Sequence, residues 1–416
     1  MATGQDIIND ATAVDSRTGR IYVAWAADSG RSSPSGFGNL GTPYVAWSDD
    51  DGKTFTTPMR VGPDGDVGRR MVISVTGQGT VLAAWADNTV VTGLDSGAFT
   101  MRLARSTDQG KTWTTGSPLP DGGVQAVSWP NIYTASDGAV WLAWLDGRPV
   151  DKKNVAGGDV DTVNLAVSRD GGQTFTPSWV AKANACSCCR PSLAQGPNGQ
   201  FALAYRNVSP QPGPEGQPMT PPPATPSPAA STAGDTGMGH MNMGSDSTSD
   251  TKLDDIRDIV IVTSSDGGHD WSQIHFPYHD NWHINSCPRL GPSVSYDHDG
   301  KRLAVTWDTG ADGRVGVWTA TSPDNGSTWS PAVRLSSQPS PPGGNPVSVP
   351  GKDGSRWIAW ANPKDVQVAH ISDSGAVATT AAMRGKNPVL APGRDDGPPL
   401  LLYTSDKNLV VRRLGP

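Results

Sequence analysis

Short apolar runs recur along the chain and are separated by polar, glycine-rich segments. Each run is rich in alanine and valine or leucine and ends in tryptophan or tyrosine, as is typical of a buried β-strand. No apolar pattern with a helical period continues beyond a dozen positions, so we expect little helix. The runs span residues 21–25, 81–85, 140–144, 201–205, 303–307, 357–360 and 400–403.

A second pattern, Ser-x-Asp-x-Gly-x-Thr-aromatic, alternates with these runs. It begins at Ser48, Ser106, Ser168, Ser264 and Ser322, and a worn remnant covers residues 373–375. In the fourth copy, Asp270 takes the place of the threonine. The aspartate of each copy can accept hydrogen bonds from its own turn and the glycine supplies positive φ, so the pattern predicts a hairpin with a structural aspartate.

The two patterns repeat together every sixty residues or so early in the chain and nearer fifty later. That length suits a four-stranded antiparallel sheet, so the sequence predicts an all-β fold, with residues 1–416 forming one β-propeller domain. The seven strand cores favour seven blades, with six as the alternative. In the last blade, residues 387–412 supply three strands, and we expect Asp6, Ile7 and Ile8 to supply the fourth and close the ring.

The repeated turn resembles the Asp-box, or BNR repeat, of sialidase-like β-propellers. Sialidases of that family use an arginine triad, a tyrosine nucleophile activated by a glutamate, and an aspartate acid/base. The only glutamate here is Glu215, which lies in a proline-rich insert. We therefore do not expect sialidase-type hydrolysis, and a degenerate glycosidase is the third interpretation of the chain.

Composition narrows the possible partners and the compartment. The formal net charge is −7 with no basic run, which argues against nucleic acid. No stretch of eighteen apolar residues exists, so we expect no membrane span. The first residues do not form a signal peptide, but the glycine-, proline-, serine- and threonine-rich composition favours an exported protein, either extracellular, at the cell surface or periplasmic.

Three of the four cysteines, Cys186, Cys188 and Cys189, fall within four residues, and the fourth is Cys287. Each segment precedes the inner strand of a predicted blade, so we expect both on the upper face, opposite the aspartate turns. His279 and His283 lead into Cys287 and are expected to be auxiliary ligands. Clustered thiolates favour copper(I), with zinc as the alternative.

The cysteine segments also resemble a subset of exported bacterial sialidase-like proteins that pair Cys-x-Cys-Cys with a later Cys-Pro-x-x-Gly-Pro. That resemblance implies a common site without naming its chemistry. Arg190 and Arg289 follow the cysteines closely and are expected to lower the thiol pKa values.

An insert at residues 209–253 lies within the predicted fourth blade and is rich in proline, serine and methionine. Such a composition cannot bury enough apolar surface to fold, so we expect a mobile segment. Its thioether and imidazole groups resemble the copper-collecting tails of bacterial copper proteins. This resemblance implies that the segment is a capture arm and that the partner is a metal ion or a metal-donor protein; an ordinary linker is the alternative. The metal-capturing residues of the arm would be Met238, His240, Met241 and Met243.

Two other interpretations of the cysteines stay open. An exported protein would pair four thiols into two disulfides, or one cysteine would act as a redox group or nucleophile. With disulfides, the chain would be a stapled module that binds a carbohydrate or small anionic ligand. The candidate ligand-binding residues are then Arg69, Arg190, Arg289, Trp129 and Asp146.

Overall fold

The computed structural model describes residues 1, 6–32, 39–63, 68–87, 100–120, 127–148, 160–209, 255–284, 288–379, 382–393 and 397–415. Within these ranges the regular elements are β-strands, and no helix of membrane-spanning length and hydrophobicity occurs. The strands form a seven-bladed β-propeller with a four-stranded antiparallel pattern, and within the described residues each blade has three to five strands. The predicted fold class and the preference for seven blades over six are confirmed.

The strands follow one another from the inside of each blade outward. Blade 1 has β1 (Ile7–Val14), β2 (Ile21–Ser32), β3 (Asn39–Ser48) and β4 (Met59–Arg60); blade 2 has β5 (Gly68–Val75), β6 (Val81–Asp87), β7 (Thr100–Ser106) and β8 (Thr114–Gly116); blade 3 has β9 (Val127–Thr134), β10 (Val140–Asp146), β11 (Val160–Ser168) and β12 (Trp179–Cys186).

The second half continues in the same way. Blade 4 has β13 (Ser192–Gln195), β14 (Phe201–Arg206) and β15 (Ile259–Ser264); blade 5 has β16 (Ser293–Tyr296), β17 (Leu303–Thr309), β18 (Gly316–Ser322) and β19 (Val333–Arg334); blade 6 has β20 (Val347–Pro350), β21 (Arg356–Ala361), β22 (Asp365–Ile371), β23 (Val377–Thr379) and β24 (Met383–Arg384); blade 7 has β25 (Lys386–Ala391), β26 (Leu400–Ser405) and β27 (Asn408–Arg413).

The ring closes through the N-terminus, but through a different residue from the one expected. Ile7 and Ile8 belong to β1, which pairs with β2 of blade 1. The backbone pairing with the outer strand of blade 7 is made by Met1, which exchanges hydrogen bonds with Leu409 of β27. The predicted closure is therefore present at Met1, because residues 7 and 8 complete the inner strand of the first blade.

The second strand of each blade forms the core, as its apolar run predicts. Strands covered on both faces read as continuous apolar segments, because neither face meets water. In β6, β10 and β17 every residue is buried. Five tryptophans of these second strands are among the largest fully buried side chains: Trp25, Trp85, Trp144, Trp307 and Trp360.

The aspartate turns join the third strand to the outermost one and share a hydrogen-bond pattern. In the first turn Ser48 Oγ accepts from the Gly52 N–H at 2.8 Å, and Asp50 Oδ1 accepts from the Thr54 N–H at 2.8 Å. Gly52 has φ 82°. Hydrogen bonds from Thr54 lower the pKa of Asp50 to about 2. The carboxylates of these aspartates thus accept hydrogen bonds within their own turns and have a structural role.

Candidate functional site

The cysteine trio forms the crossing from blade 3 to blade 4. β12 ends at Cys186, and the chain then turns so that the Cys189 N–H donates to the Cys186 carbonyl at 3.1 Å. The turn is fixed by its neighbours, because the Val208 N–H donates to the Asn184 carbonyl at 2.8 Å. Since antiparallel strands alternate in direction, this crossing lies on the face opposite the aspartate turns.

The turn brings three sulfurs together. Cys186 Sγ lies 3.3 Å from Cys189 Sγ and 3.5 Å from Cys188 Sγ, and the third Sγ–Sγ distance is 3.8 Å. Cys186 is completely buried, and Cys188 and Cys189 are buried as well. Val160 and Val208 pack against them. The sulfurs therefore form a cluster in an apolar pocket.

The cysteines of the cluster differ in redox state. Cys186 and Cys189 are free thiols, whereas Cys188 is disulfide-bonded. Cys287, the fourth predicted ligand, lies outside the described residues. The structure thus represents a form in which two of the three clustered sulfurs can ionise.

Two buried arginines supply positive charge beside the sulfurs. Arg257 Nη1 donates to Cys186 Sγ at 3.3 Å, and Arg257 is only 3% exposed. The hydrogen bond with Cys189, followed by the charges of Arg257 and Arg206, lowers the pKa of Cys186 to about 6 against the effect of burial. Burial and the neighbouring Cys186 raise the pKa of Cys189 well above the usual range. The pair therefore holds one thiolate and one thiol near neutral pH.

Arg206 holds this region together. Its guanidinium donates to the carbonyls of Leu290, Arg257 and Asp308 at 2.7–3.1 Å. It also lies over the Trp282 ring, 4.8 Å from the centroid. The side chain thus ties blade 4 to the segment that precedes blade 5.

Sequence reasoning missed both arginines and named Arg190 and Arg289 as the groups acting on the thiols. A signal was present in the repeat itself. When the blades are aligned on the serine of each turn, Arg206 stands where blade 2 has Ala86 and blade 3 has Leu145. An arginine at an otherwise apolar or acidic position of a buried strand marks a blade that departs from the repeat.

The predicted auxiliary ligands lie in the segment after blade 4. His283 forms an isolated bridge with Ile256, next to Arg257, and His279 stacks on Phe276 at 4.1 Å. Among the described residues, neither imidazole lies within 4.8 Å of all three sulfurs. Met238, His240, Met241 and Met243 lie outside the described residues, so the capture arm stays a prediction.

The five predicted ligand-binding residues separate in the structure. Arg190 and Trp129 line a cavity on the propeller axis. Asp146 is buried away from it and accepts hydrogen bonds from Trp144 and Arg148, at 3.0 and 2.6 Å to its Oδ2. Arg289 adopts φ 56° before β16, and its carbonyl accepts from the Gly343 N–H. Arg69 lies in β5, and its side chain is outside the described part.

The axial cavity receives residues from six of the seven blades or the connections leading into them. Its volume is about 80 Å³. The lining residues are Asn9, Asp10, Arg70, Met71, Val72, Trp129, Pro130, Arg190, Gly343, Asn345, Asn387, Pro388 and Val389. Three of them, Arg70, Trp129 and Asn387, have positive φ and sit at irregularities of inner strands, where a bulge turns side chains toward the axis.

Comparison with known proteins shows the fold. No protein-family model and no curated protein matches the chain. Among solved structures, it is similar to an ulvan lyase of polysaccharide lyase family PL25, with 12% identity, TM-score 0.54, and 98% of this chain and 95% of that chain covered. It is also similar to the Hadza microbial sialidase Hz136, with 15% identity, TM-score 0.51, and 90% and 74% covered. The chain therefore has a sialidase-like β-propeller fold.

Proposed function

We propose that this propeller binds a soft metal ion, copper(I) in the first place, through the thiolates of Cys186, Cys188 and Cys189. The observation that carries the proposal is the mutual distance of the three sulfurs, 3.3–3.8 Å. Sulfurs about 2.3 Å from one metal lie about 3.8 Å apart in a tetrahedral site and about 4.0 Å apart in a trigonal one. Small side-chain adjustments would thus bring the cluster to metal-binding geometry.

The surrounding charge supports an anionic complex. Three thiolates around a monovalent ion carry a net charge of about −2, which is costly in an apolar pocket without compensation. Arg257 lies against Cys186, and Arg206 is buried nearby. These two cations would offset that charge and favour the ionised sulfurs.

The donor set favours copper(I) over zinc. Structural zinc sites are almost always four-coordinate, whereas thiolate sulfur is a preferred donor for copper(I). Among the described residues the cluster offers three sulfurs and no imidazole within 4.8 Å of all of them. Zinc would need a fourth ligand from elsewhere.

Metal binding would depend on the redox state of Cys188. Its disulfide leaves Cys186 and Cys189 as the available thiols. Reduction of the disulfide by an external dithiol, which is itself oxidised to a disulfide, would release the Cys188 thiol and the thiol of its disulfide partner. We therefore expect tight metal binding by the reduced protein and weaker metal binding by the oxidised protein. The role that we propose is that of an exported protein that stores, delivers or senses the metal.

The test is a copper(I) competition titration under anaerobic conditions. The reduced and oxidised proteins are each titrated against a chromophoric copper(I) chelator, with thiol counting and elemental analysis in parallel. We expect about one copper per reduced chain and at least tenfold weaker binding by the oxidised chain. Cys186→Ser and Cys189→Ser should each weaken binding by a hundredfold or more.

Ser187→Ala is the matched control, because Ser187 lies in the same turn and offers no sulfur. It should bind copper like the wild type. Equal copper binding by wild type and Cys186→Ser, or no binding by the fully reduced protein, would overturn the proposal. Stoichiometric zinc with no copper would replace copper(I) by zinc.

The disulfide at Cys188 favours a second candidate, a stapled module that binds a carbohydrate or acidic ligand. Under this candidate the disulfide fixes the crossing between blades 3 and 4, and the ligand lies on the same face. It predicts no metal in either redox state and a lower Tm after reduction.

A further inference from the structure

Three buried polar atoms without a hydrogen-bond partner among the described residues belong to side chains that line the axial cavity. They are Asp10 Oδ1, Trp129 Nε1 and Arg190 Nε. Asp10 is 7% exposed and Trp129 is 9% exposed. Buried polar groups in proteins normally have a partner, so three such atoms around one cavity indicate a ligand that supplies it.

The chemistry of these atoms defines the ligand. The indole Nε1 and the guanidinium Nε are donors only. Burial raises the pKa of Asp10 to about 8, so its carboxyl is protonated near neutral pH and donates as well. The other oxygen of Asp10, Oδ2, accepts a hydrogen bond from Thr404 Oγ1 at 3.3 Å. Three donors without a partner among the described residues therefore belong to side chains that line the cavity, and one of them is on a cation.

The neighbouring groups reinforce the positive character of the cavity. The Arg70 guanidinium lies over the Trp129 ring, 3.8 Å from its centroid, and so adds a second cation while holding the indole in place. Lys386 contributes a further positive charge near Asp10. The cavity volume of about 80 Å³ is several times the roughly 10–15 Å³ that one water needs, so a small ion fits within it.

We propose that the axial cavity binds a small oxyanion, whose oxygens accept hydrogen bonds from Trp129 Nε1, Arg190 Nε and the Asp10 carboxyl. The ligand class includes a free inorganic anion and a carboxylate, sulfate or phosphate group carried by a larger molecule. This inference gives the second candidate function its site and ligand class, and it does not require the cysteine cluster to bind metal.

The Asp10 carboxyl makes the binding depend on pH. Above pH 8 its ionised form repels the anion and no longer donates. The guanidinium groups of Arg70 and Arg190 do not lose their proton in this range, so they do not produce a change across pH 6–9. Sulfate, whose charge is constant across the same range, is therefore the probe for the pH profile.

The experiment is calorimetric titration of the Cys186→Ser/Cys189→Ser protein, which lacks the thiol pair and so separates this site from the metal proposal. Sulfate, phosphate and acetate are the probes. Sulfate should bind at pH 6.5 with a sub-millimolar Kd and at least tenfold more weakly at pH 9. Tighter binding of sulfate and phosphate than of acetate would indicate a tetrahedral group, and the reverse order a carboxylate.

Three variants test the donors separately. Arg190→Gln should weaken sulfate binding by at least tenfold, and Trp129→Phe, which removes only the indole N–H, by about fivefold. Asp10→Asn keeps an N–H donor that does not titrate, so it should bind sulfate nearly as well at pH 6.5 and equally well at pH 9. Trp179→Phe is the matched control, because its buried Nε1 also lacks a partner among the described residues but does not line the cavity.

Near-ultraviolet circular dichroism verifies that each variant is folded. The proposal is wrong if none of the three anions binds below about 10 mM, or if Arg190→Gln and Trp129→Phe bind sulfate like the wild type. A pH dependence that persists in Asp10→Asn would remove Asp10 from the site. If copper binding fails while sulfate binding holds, only the metal proposal is lost.

Discussion

Blades 3 and 4 place different groups at the same register position, and this difference separates scaffold from site. In blade 3 the second strand ends Trp144-Leu145-Asp146, and Asp146 accepts from the Trp144 indole and pairs with Arg148. Its charge is thus balanced inside the blade. In blade 4 the same positions hold Tyr205, Arg206 and Asn207, which contain no carboxylate.

The consequence is buried positive charge at the end of β14 and just before β15 of blade 4. Arg206 donates to three carbonyls, and Arg257 has Asp255 at 3.8 Å, beyond a good hydrogen bond, and Cys186 at 3.3 Å. A buried cation requires a counter-charge, and the Cys186 thiolate supplies one. Blade 3 thus balances its buried charge within the blade, whereas a buried cation of blade 4 contacts a cysteine sulfur of the crossing.

Arg206→Leu gives blade 4 the residue that blade 3 has, and it should produce the largest effect. Three carbonyls, of Leu290, Arg257 and Asp308, would lose their donor, so the free energy of unfolding should fall by about 3–5 kcal/mol. Denaturant unfolding measures the change. Arg169→Leu, which removes an exposed pair with Asp137, should cost about 0.5 kcal/mol or less. A fall of less than about 1 kcal/mol in the free energy of unfolding of Arg206→Leu would contradict this prediction, because blade 4 would then tolerate the leucine that blade 3 has at this position.

Arg257→Met tests the charge balance directly. The pKa of Cys186, now about 6, should rise by about one unit or more once the guanidinium is gone. Because this pKa is depressed in the folded protein, the thiolate stabilises the fold above the ordinary thiol pKa, and that contribution disappears as pH falls through about 6. Thiolate absorbance against pH measures the titration, with Cys186→Ser to identify its signal. An unchanged midpoint in Arg257→Met would show that Cys189 alone sets the pKa.

The sequence predicts the scaffold well because the scaffold repeats. Seven apolar runs and five aspartate turns each indicate the same blade structure. The strand order, the blade number and the structural role of Asp50 and its equivalents therefore follow from the pattern alone. The crossing position of Cys186, Cys188 and Cys189 also follows, because it depends only on their place before β13.

The residues that surround the sulfurs could not be predicted from the repeat. Arg257 is far from Cys186 in the chain and meets it only because β15 lies beside the crossing, a contact between single residues that no repeat encodes. The lining of the axial cavity could not be predicted from the repeat either, because Asp10, Trp129 and Arg190 come from three different blades or the connections leading into them. Asp146, chosen for its type and position, turns out to be used by Trp144 and Arg148, which are both within two residues of it.

The fourth aspartate turn, in blade 4, also departs from the repeat, because it has Asp270 in place of a threonine. Restoring the threonine should have the smallest effect of the changes considered. In the other four turns a threonine hydroxyl donates to the aspartate Oδ2, as Thr328 does to Asp324 at 2.7 Å. In blade 4 that position is Asp270, which brings a second carboxylate beside Asp266 and supplies only its backbone N–H. Asp270→Thr adds the missing donor and removes a like charge, so Tm should rise by roughly 1 °C. Calorimetry measures it against Thr328→Asp, the reverse change in blade 5, which should lower Tm by a similar amount. If Asp270→Thr lowers Tm instead, Asp270 serves blade 4 through a contact of its own.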